Sequence, residues 1–216
     1  MMKTTHWMAA LALAACFGAA QAQEAFTVDL AAVPAGPLPK ETLFVVEGAW
    51  EAAEHDGVKC LKIPGEPITD ANAQAGPSAK GDAAVSARVF ASKRARSYPR
   101  FGISVHGMSG YRLMVNAAKK QVELVKSDEV VATAPFEWAS DTWVSLKLEA
   151  ARQGQDGPWI ISASAWTGAE APAQPLLRHE DSSSMKGTGK CGLWGTPYSE
   201  LPIFFAEVKG SVRTDG

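Results

Sequence analysis

Residues 100–116 read RFGISVHGMSGYRLMVN, and this stretch decides the fold class. Apolar side chains alternate with polar or small ones on both sides of Ser109-Gly110, a dipeptide that favours a tight turn. A period of two residues places successive side chains on opposite faces of a β-strand. The pattern therefore predicts two strands joined by a short turn, each with one apolar face.

The same alternation continues in later strands, so side chains can be assigned to a core row and a polar row. The predicted core row contains Phe101, Ile103, Val105, Tyr111, Leu113, Val115, Val122, Leu124, Val144, Leu146 and Leu148. The opposite row contains Arg100, Ser104, His106, Arg112, Met114, Asn116, Glu123, Trp143, Ser145 and Lys147. If these strands share one sheet, its outer face is polar and carries one large aromatic side chain.

Similar short apolar runs, bounded by Gly, Pro and Asp, extend along most of the chain. They predict strands at residues 26–30, 49–53, 58–63, 83–90, 100–106, 111–115, 121–126, 130–134, 142–150, 159–166, 191–194 and 203–212. Residues 64–81 and 167–190 are expected to form long surface loops, with at most one helical turn at 180–186. Many short strands without a long helix favour an all-β sandwich or barrel.

The N-terminus has the pattern of an export signal. Lys3 precedes an apolar run over residues 7–20, and Ala20-Gln21-Ala22 has the small-x-small form cut by signal peptidase. Cleavage there leaves residues 23–216 as one domain, secreted or periplasmic. The run Leu13-Ala14-Ala15-Cys16 offers an alternative, in which the protein is a lipoprotein held at a membrane through lipidated Cys16.

Charge and cysteine content limit the partners and the covalent links. A formal net charge of −2 and a pI near 6.1 give no reason to expect binding to nucleic acid. Removal of the signal leaves Cys60 and Cys191 in a compartment where disulfides persist. A Cys60–Cys191 bridge and two buried free thiols remain alternatives.

Glycines, tryptophans and apolar runs also recur in a familiar order. They are Gly48-Ala49-Trp50, Asp56-Gly57 with Leu61, Arg100-Phe101-Gly102-Ile103 with Gly110-Tyr111, Trp138 with the strand at 143–148, the strand at 189–194 and the strand at 203–208. Together they resemble concanavalin A-like (laminin G-like) jelly-roll domains. The resemblance is closest to bacterial secreted members, including those grouped with 3-keto-disaccharide hydrolases (the domain of unknown function 1080). It implies a two-sheet jelly-roll sandwich and a carbohydrate ligand.

Two positions depart from the patterns of these families. Ala206 stands where many closing strands of the superfamily carry Asp, in a region that holds calcium in several members. Leu43-Phe44 is followed by Val45 rather than by the Asn-Gly of the hydrolase group.

The sequence contains no motif specific enough to name a reaction. Glu54-His55-Asp56-Gly57-Val58-Lys59 ends in Lys where laminarinase-type enzymes carry a second Glu. Gly107-Met108-Ser109-Gly110 is one residue short of a serine-hydrolase elbow. His179-Glu180-Asp181 are consecutive, and adjacent residues rarely converge on one metal. We therefore expect no metal and no cofactor.

Three hypotheses for function follow from these residues and from what the resemblance implies. The first is a noncatalytic glycan-recognition module that binds through Arg100, His106, Arg112, Trp143 and Lys147, with Trp143 stacking on a sugar ring. The second is a glycoside-cleaving enzyme of the 3-keto-disaccharide hydrolase type, with His106 and Glu123 as acid–base groups. The third is a structural envelope protein whose sheet face meets another protein.

Overall fold

The computed structural model describes residues 23–66, 70–154, 156–183 and 188–213. The strands are β1 (Gln23–Thr27), β2 (Gly36–Pro37), β3 (Phe44–Glu47), β4 (Glu51–His55), β5 (Val58–Ile63), β6 (Ala71–Ala79), β7 (Ala83–Ala91), β8 (Arg100–Val105), β9 (Tyr111–Asn116), β10 (Gln121–Lys126), β11 (Glu129–Pro135), β12 (Thr142–Arg152), β13 (Trp159–Thr167), β14 (Leu177–Asp181), β15 (Gly189–Thr196) and β16 (Ile203–Arg213). One 3-10 turn, Ala117–Lys119, joins β9 to β10 in the described chain.

The strands form two antiparallel sheets. The nine-stranded sheet runs β14-β13-β12-β7-β16-β5-β4-β2, with β1 also paired to β16, and the seven-stranded sheet runs β11-β10-β9-β8-β15-β6-β3. Neighbours such as β8 and β15 are far apart in sequence, so the chain crosses repeatedly between the sheets. This arrangement confirms the predicted all-β sandwich.

The core between the sheets contains the predicted apolar row. Every member of that row, from Phe101 to Leu148, is at most 1% exposed. Aromatic rings also pack in this core, where Trp50 lies against Phe205 with ring centroids 5.6 Å apart and Phe101 lies edge-on to Trp138 at 6.1 Å. The alternation therefore identified the inward face of β8, β9, β10 and β12 correctly.

The expected loop at residues 64–81 is wrong, because it contains β6. This strand reads ANAQAGPSA and lies between β15 and β3. Its inward side chains Ala71, Ala73 and Ala75 are buried in the core. Alanine gives a weak hydrophobic signal, and glycine and proline in the run favoured a loop, so pairing with two neighbours decides the structure.

The expected loop at residues 167–190 is also partly wrong, because it contains β14. Leu177 enters the core, while the polar residues after it form the edge of the nine-stranded sheet beside β13. This strand includes Glu180 and Asp181 and so replaces the start of the expected helical turn. Residues 184–186 of that turn lie outside the described residues.

The two cysteines of the domain are free and buried. Cys60 lies on the outer face of the nine-stranded sheet in a cluster with Phe90, Phe204 and Ala206. Cys191 lies in the core between the sheets, where its thiol contacts the carbonyl of Ala84. A sheet therefore separates the two thiols, and the structure corrects the disulfide alternative.

The expected signal segment at residues 1–22, with Cys16, lies outside the described residues. Among the residues that the structure does describe, no helix has the length and apolar character needed to cross a membrane.

Candidate functional site

The outer face of the seven-stranded sheet carries a pocket of about 420 Å³. Strand register sets its walls, because Ser104 lies opposite Arg112 and Arg100 lies opposite Asn116. The polar residues that line it are Asp70, Arg100, Arg112, Asn116, Lys119, Glu123 and Asp128. Met114, Val125 and Val130 supply the apolar part. The size lies within the range of small-molecule sites, roughly 300–1,000 Å³.

Arg112 is held in the floor of this pocket by a buried tryptophan. Its guanidinium carbon lies 4.2 Å from the ring centroid of Trp194, and the residue is only 8% exposed. The indole nitrogen of Trp194 donates to the Ser104 hydroxyl at 2.9 Å. A Cβ at Gly192 would lie 2.4 Å from that hydroxyl oxygen, so the glycine is needed for the contact. The guanidinium therefore has a fixed orientation.

Glu123 is the centre of a hydrogen-bond network at the other end of the pocket. The residue is 1% exposed, and its carboxylate accepts from four side chains. The donors are Arg100 Nη2 at 2.9 Å, Asn116 Nδ2 at 2.9 Å, Gln121 Nε2 at 2.9 Å and Lys119 Nζ at 3.3 Å. The 3-10 turn brings Lys119 over the carboxylate, and Asn116 caps that turn through the Lys119 amide.

These donors determine the charge of Glu123. Burial would raise the pKa of its carboxyl, but the hydrogen bonds from Gln121 and Asn116, the charge of Arg100 and the bond from Lys119 outweigh burial and hold the pKa below its ordinary value. Glu123 is therefore ionised at neutral pH and acts as an acceptor.

Three of the predicted site residues come together in this pocket. Arg100, Arg112 and Glu123 project from β8, β9 and β10, which are adjacent in one sheet. Their shared face follows from the alternation in residues 100–126.

His106 is not part of this pocket, contrary to its predicted place on the polar row. A positive φ of 60° at His106 breaks the strand alternation and turns its side chain inward. The ring lies edge-on to Trp159 at 5.3 Å, and Nε2 donates to the Gly81 carbonyl at 2.7 Å. Burial lowers the pKa of this imidazole despite that bond and the nearby charge of Asp82. His106 fills a corner of the sandwich in its neutral form.

Trp143 and Lys147 are also separated from the pocket. Their strand, β12, pairs with β7 and β13 in the nine-stranded sheet, so both side chains project from the opposite side of the sandwich. Trp143 packs against Phe90 at a ring distance of 5.6 Å, and Arg88 lies over its ring. Lys147 pairs with Glu149 at 2.9 Å. The two polar rows belong to different sheets.

Sequence reasoning missed several residues of the pocket. Trp194 is the last residue of the strand predicted at 191–194, and its contact with Arg112 depends on β15 lying beside β8. Lys119 and Asp128 lie in turns, where alternation assigns no face. Asp128 follows Ser127 in the turn between two predicted strands. That place in the turn was the one feature of the sequence that could have pointed to Asp128.

The arrangement presents fixed hydrogen-bond donors and acceptors to a polar ligand. Arg100, Arg112 and Lys119 are donors, and Glu123 and Asp128 are acceptors, within one pocket. In the described parts of the chain, no group of three His, Cys, Asp or Glu side chains could hold a metal ion.

No protein-family model matches the sequence, and no curated protein matches it. Solved structures are similar in fold. The carbohydrate-binding module CBM66 from Bacillus subtilis matches with a TM-score of 0.53 and 17% identity, over 77% of this chain and 94% of that one. Lectin UEA-II, in complex with galactose, matches with a TM-score of 0.54 and 10% identity, over 89% of this chain and 99% of that one.

A Bacillus subtilis protein with a galectin-like fold is similar to the same extent. Its TM-score is 0.55 at 14% identity, over 84% of this chain and 96% of that one. At such identities the likeness concerns the fold alone. It confirms the two-sheet jelly-roll sandwich of the concanavalin A-like type.

Proposed function

We propose that this domain recognises a glycan in the pocket on the outer face of the seven-stranded sheet and does not itself cleave it. The observation that carries the proposal is the network around Glu123, in which a buried carboxylate and the arginine and amide groups beside it line one pocket. Nothing in the packing of the core requires these charges, because they lie on the outer face.

Sugar hydroxyls match this set of side chains. Each hydroxyl donates one hydrogen bond and accepts others, so a ring of hydroxyls needs charged acceptors and planar donors side by side. Arg100 and Glu123, bonded at 2.9 Å, offer such a pair. Hydrogen bonds to charged groups are about twice as strong as neutral ones. The exposed side chain of Val130 adds an apolar contact on the rim.

The names of the similar structures support the same ligand class. CBM66 is named a carbohydrate-binding module, and the UEA-II lectin is described with galactose. We extend the proposal to location: export through residues 1–22 would place the domain at 23–216 outside the cytoplasm, free or anchored through Cys16. An external glycan would then be within reach.

The proposal is tested by a glycan-array screen on residues 23–216, followed by calorimetry on each hit. Arg100→Gln is expected to weaken binding at least tenfold, because it removes a donor from the pocket and loosens Glu123. Arg88→Gln is the matched control, since Arg88 is 35% exposed against 37% for Arg100 and also pairs with a glutamate, but on the opposite sheet. Equal loss in both variants, or no glycan bound, would refute the proposal.

A second candidate function is supported by the same carboxylate. Glu123 lies in a pocket beside basic residues, as an enzyme of the 3-keto-disaccharide hydrolase type would require. Because its pKa is lowered, Glu123 would serve as a base or nucleophile and not as the acid. His106 is turned away and cannot assist. Product analysis on 3-keto-glucosides and on every array hit distinguishes the recognition module from the enzyme. Turnover that is lost in the Glu123→Gln variant would favour the enzyme.

A further inference from the structure

Arg112 differs from the other cations of the pocket in how its charge is balanced. Arg100 and Lys119 share the buried carboxylate of Glu123. Arg112, although 8% exposed, bonds to the carboxylate of Asp128, whose side chain is 90% exposed. A buried cation thus depends on a counter-charge that lies almost entirely in water.

The bond to Asp128 uses only part of the guanidinium. Arg112 donates from Nη2 to Asp128 Oδ1, while its Nε, also buried, has no hydrogen-bond partner among the described residues. Nε and Nη2 form one edge of the guanidinium, and this edge can bind both oxygens of a carboxylate. Trp194 stacks on the flat face of the same guanidinium and so fixes its orientation.

Asp128 lies in a position from which its side chain can move away from Arg112. It lies in the β10–β11 turn with Ser127, and both residues have positive φ angles, 69° and 48°. An ion pair with one largely exposed partner contributes little, because water screens the charge of that partner. Exchange of Asp128 for another carboxylate would therefore cost little, and a carboxylate that engages both Nε and Nη2 would bind more strongly.

We propose that Asp128 occupies the place of a ligand carboxylate, and that the pocket takes an acidic glycan whose carboxylate displaces Asp128 from Arg112. This inference rests on the proposed glycan-binding function and specifies its ligand class. The carboxylate can come from a uronic acid or from a sialic acid. Glu123 does not oppose such a ligand strongly, because its charge is compensated by Arg100 and Lys119.

The test compares acidic oligosaccharides with their carboxyl-methylated counterparts, by calorimetry on residues 23–216. One arm uses oligogalacturonate and oligoglucuronate, and the other uses sialylated oligosaccharides, so the result identifies the source of the carboxylate. We expect one arm to bind and methylation to weaken it at least tenfold. Binding should also weaken as salt is raised, as expected for an ionic contact.

Variants test the exchange itself. Asp128→Asn keeps the size of the side chain and tolerates the positive φ, and it should tighten acidic-glycan binding about threefold by removing the competing charge. Asp56→Asn is the matched control, because Asp56 is also exposed, has a φ of 49° and lies in a turn of the opposite sheet. It should leave binding unchanged. Arg112→Lys keeps the charge but lacks the two-pronged edge, and should weaken binding by about tenfold or more.

The outcomes separate this inference from the proposed function. Equal binding of methylated and free acids, or weaker binding by Asp128→Asn, would overturn the exchange while leaving glycan recognition intact. No binding of any acidic or neutral glycan would overturn both. Thermal melts of each variant show whether it is folded, and Asp128→Asn decides the matter even if the Arg112 variant is unstable.

Discussion

Replacing Glu123 with glutamine removes a buried negative charge without changing the size of the side chain. In the folded protein the carboxylate accepts hydrogen bonds from Asn116 and Gln121 and from the charged groups of Arg100 and Lys119. The amide nitrogen of glutamine is a donor and would face these donors. Arg100 and Lys119 would also lose their counter-charge.

The size of the effect follows from burial. Removing one partner of a buried ion pair costs about 3–5 kcal/mol. The Arg100 and Lys119 side chains are 37% and 64% exposed, so water compensates part of that loss. We expect the free energy of unfolding to fall by about 2–3 kcal/mol. For a domain of this size, this corresponds to a fall in Tm of about 4–12 °C.

The assay is thermal unfolding of residues 23–216 by calorimetry at neutral pH. Glu207→Gln is the matched control, because Glu207 also accepts from an arginine, Arg88, at 2.7 Å but is 56% exposed. It should cost less than about 1 kcal/mol. A Glu123→Gln protein that melts within about 1 °C of the parent would refute the reasoning.

The pH dependence gives a second check on the same variant. Folding lowers the pKa of Glu123, so its contribution to stability is present above the ordinary carboxyl pKa of about 4.3 and is lost as pH falls through the lower folded value. The difference in Tm between parent and variant should therefore narrow in acid. A constant difference across that range would contradict the assignment of an ionised carboxylate.

Three further outcomes are expected. Asp181→Asn should lower the free energy of unfolding by about 2 kcal/mol, because its carboxylate pairs with Lys126 across the two sheets and both side chains are largely buried. Calorimetry measures this loss, and an unchanged Tm would contradict the prediction. Gly102→Ala should destabilise by about 2–3 kcal/mol or more, because its Cβ would lie 2.1 Å from a backbone carbonyl of the neighbouring strand; full yield and an unchanged circular dichroism melt would argue against this packing. Cys60 and Cys191 should not react with a thiol reagent in the native state, because burial raises their thiol pKa values to about 11 and about 12. In denaturant without reductant both thiols should react, whereas two cysteines joined in a disulfide would leave no thiol to react.

The sequence by itself determined most of the strands and, for β8, β9, β10 and β12, which face points inward. Side-chain alternation has a period of two residues in any strand, so the pattern in 100–116 is enough to place Phe101 inside and Arg112 outside. The motifs that resemble jelly-roll domains are also strand and turn segments, so they indicate the fold. Arg100, Arg112 and Glu123 were therefore found on one face before any pairing was known.

Only the tertiary structure decided which strands are neighbours. Alternation states which side of a strand is apolar but does not specify its sheet, so the polar row of β12, with Trp143, was wrongly joined to that of β8 and β9. Burial of the alanine-rich β6 likewise depends on neighbours distant in sequence. Backbone dihedrals were a second unknown, since one positive φ at His106 turned its side chain into the sandwich.

The pocket combines both kinds of information. Arg100, Arg112 and Glu123 come from alternation within three consecutive strands, which the sequence contains. The stacking of Arg112 on Trp194 and the placement of Asp128 beside it come from long-range strand order and from a turn. Contacts of this kind are set by packing in three dimensions, and no local pattern in the chain encodes them.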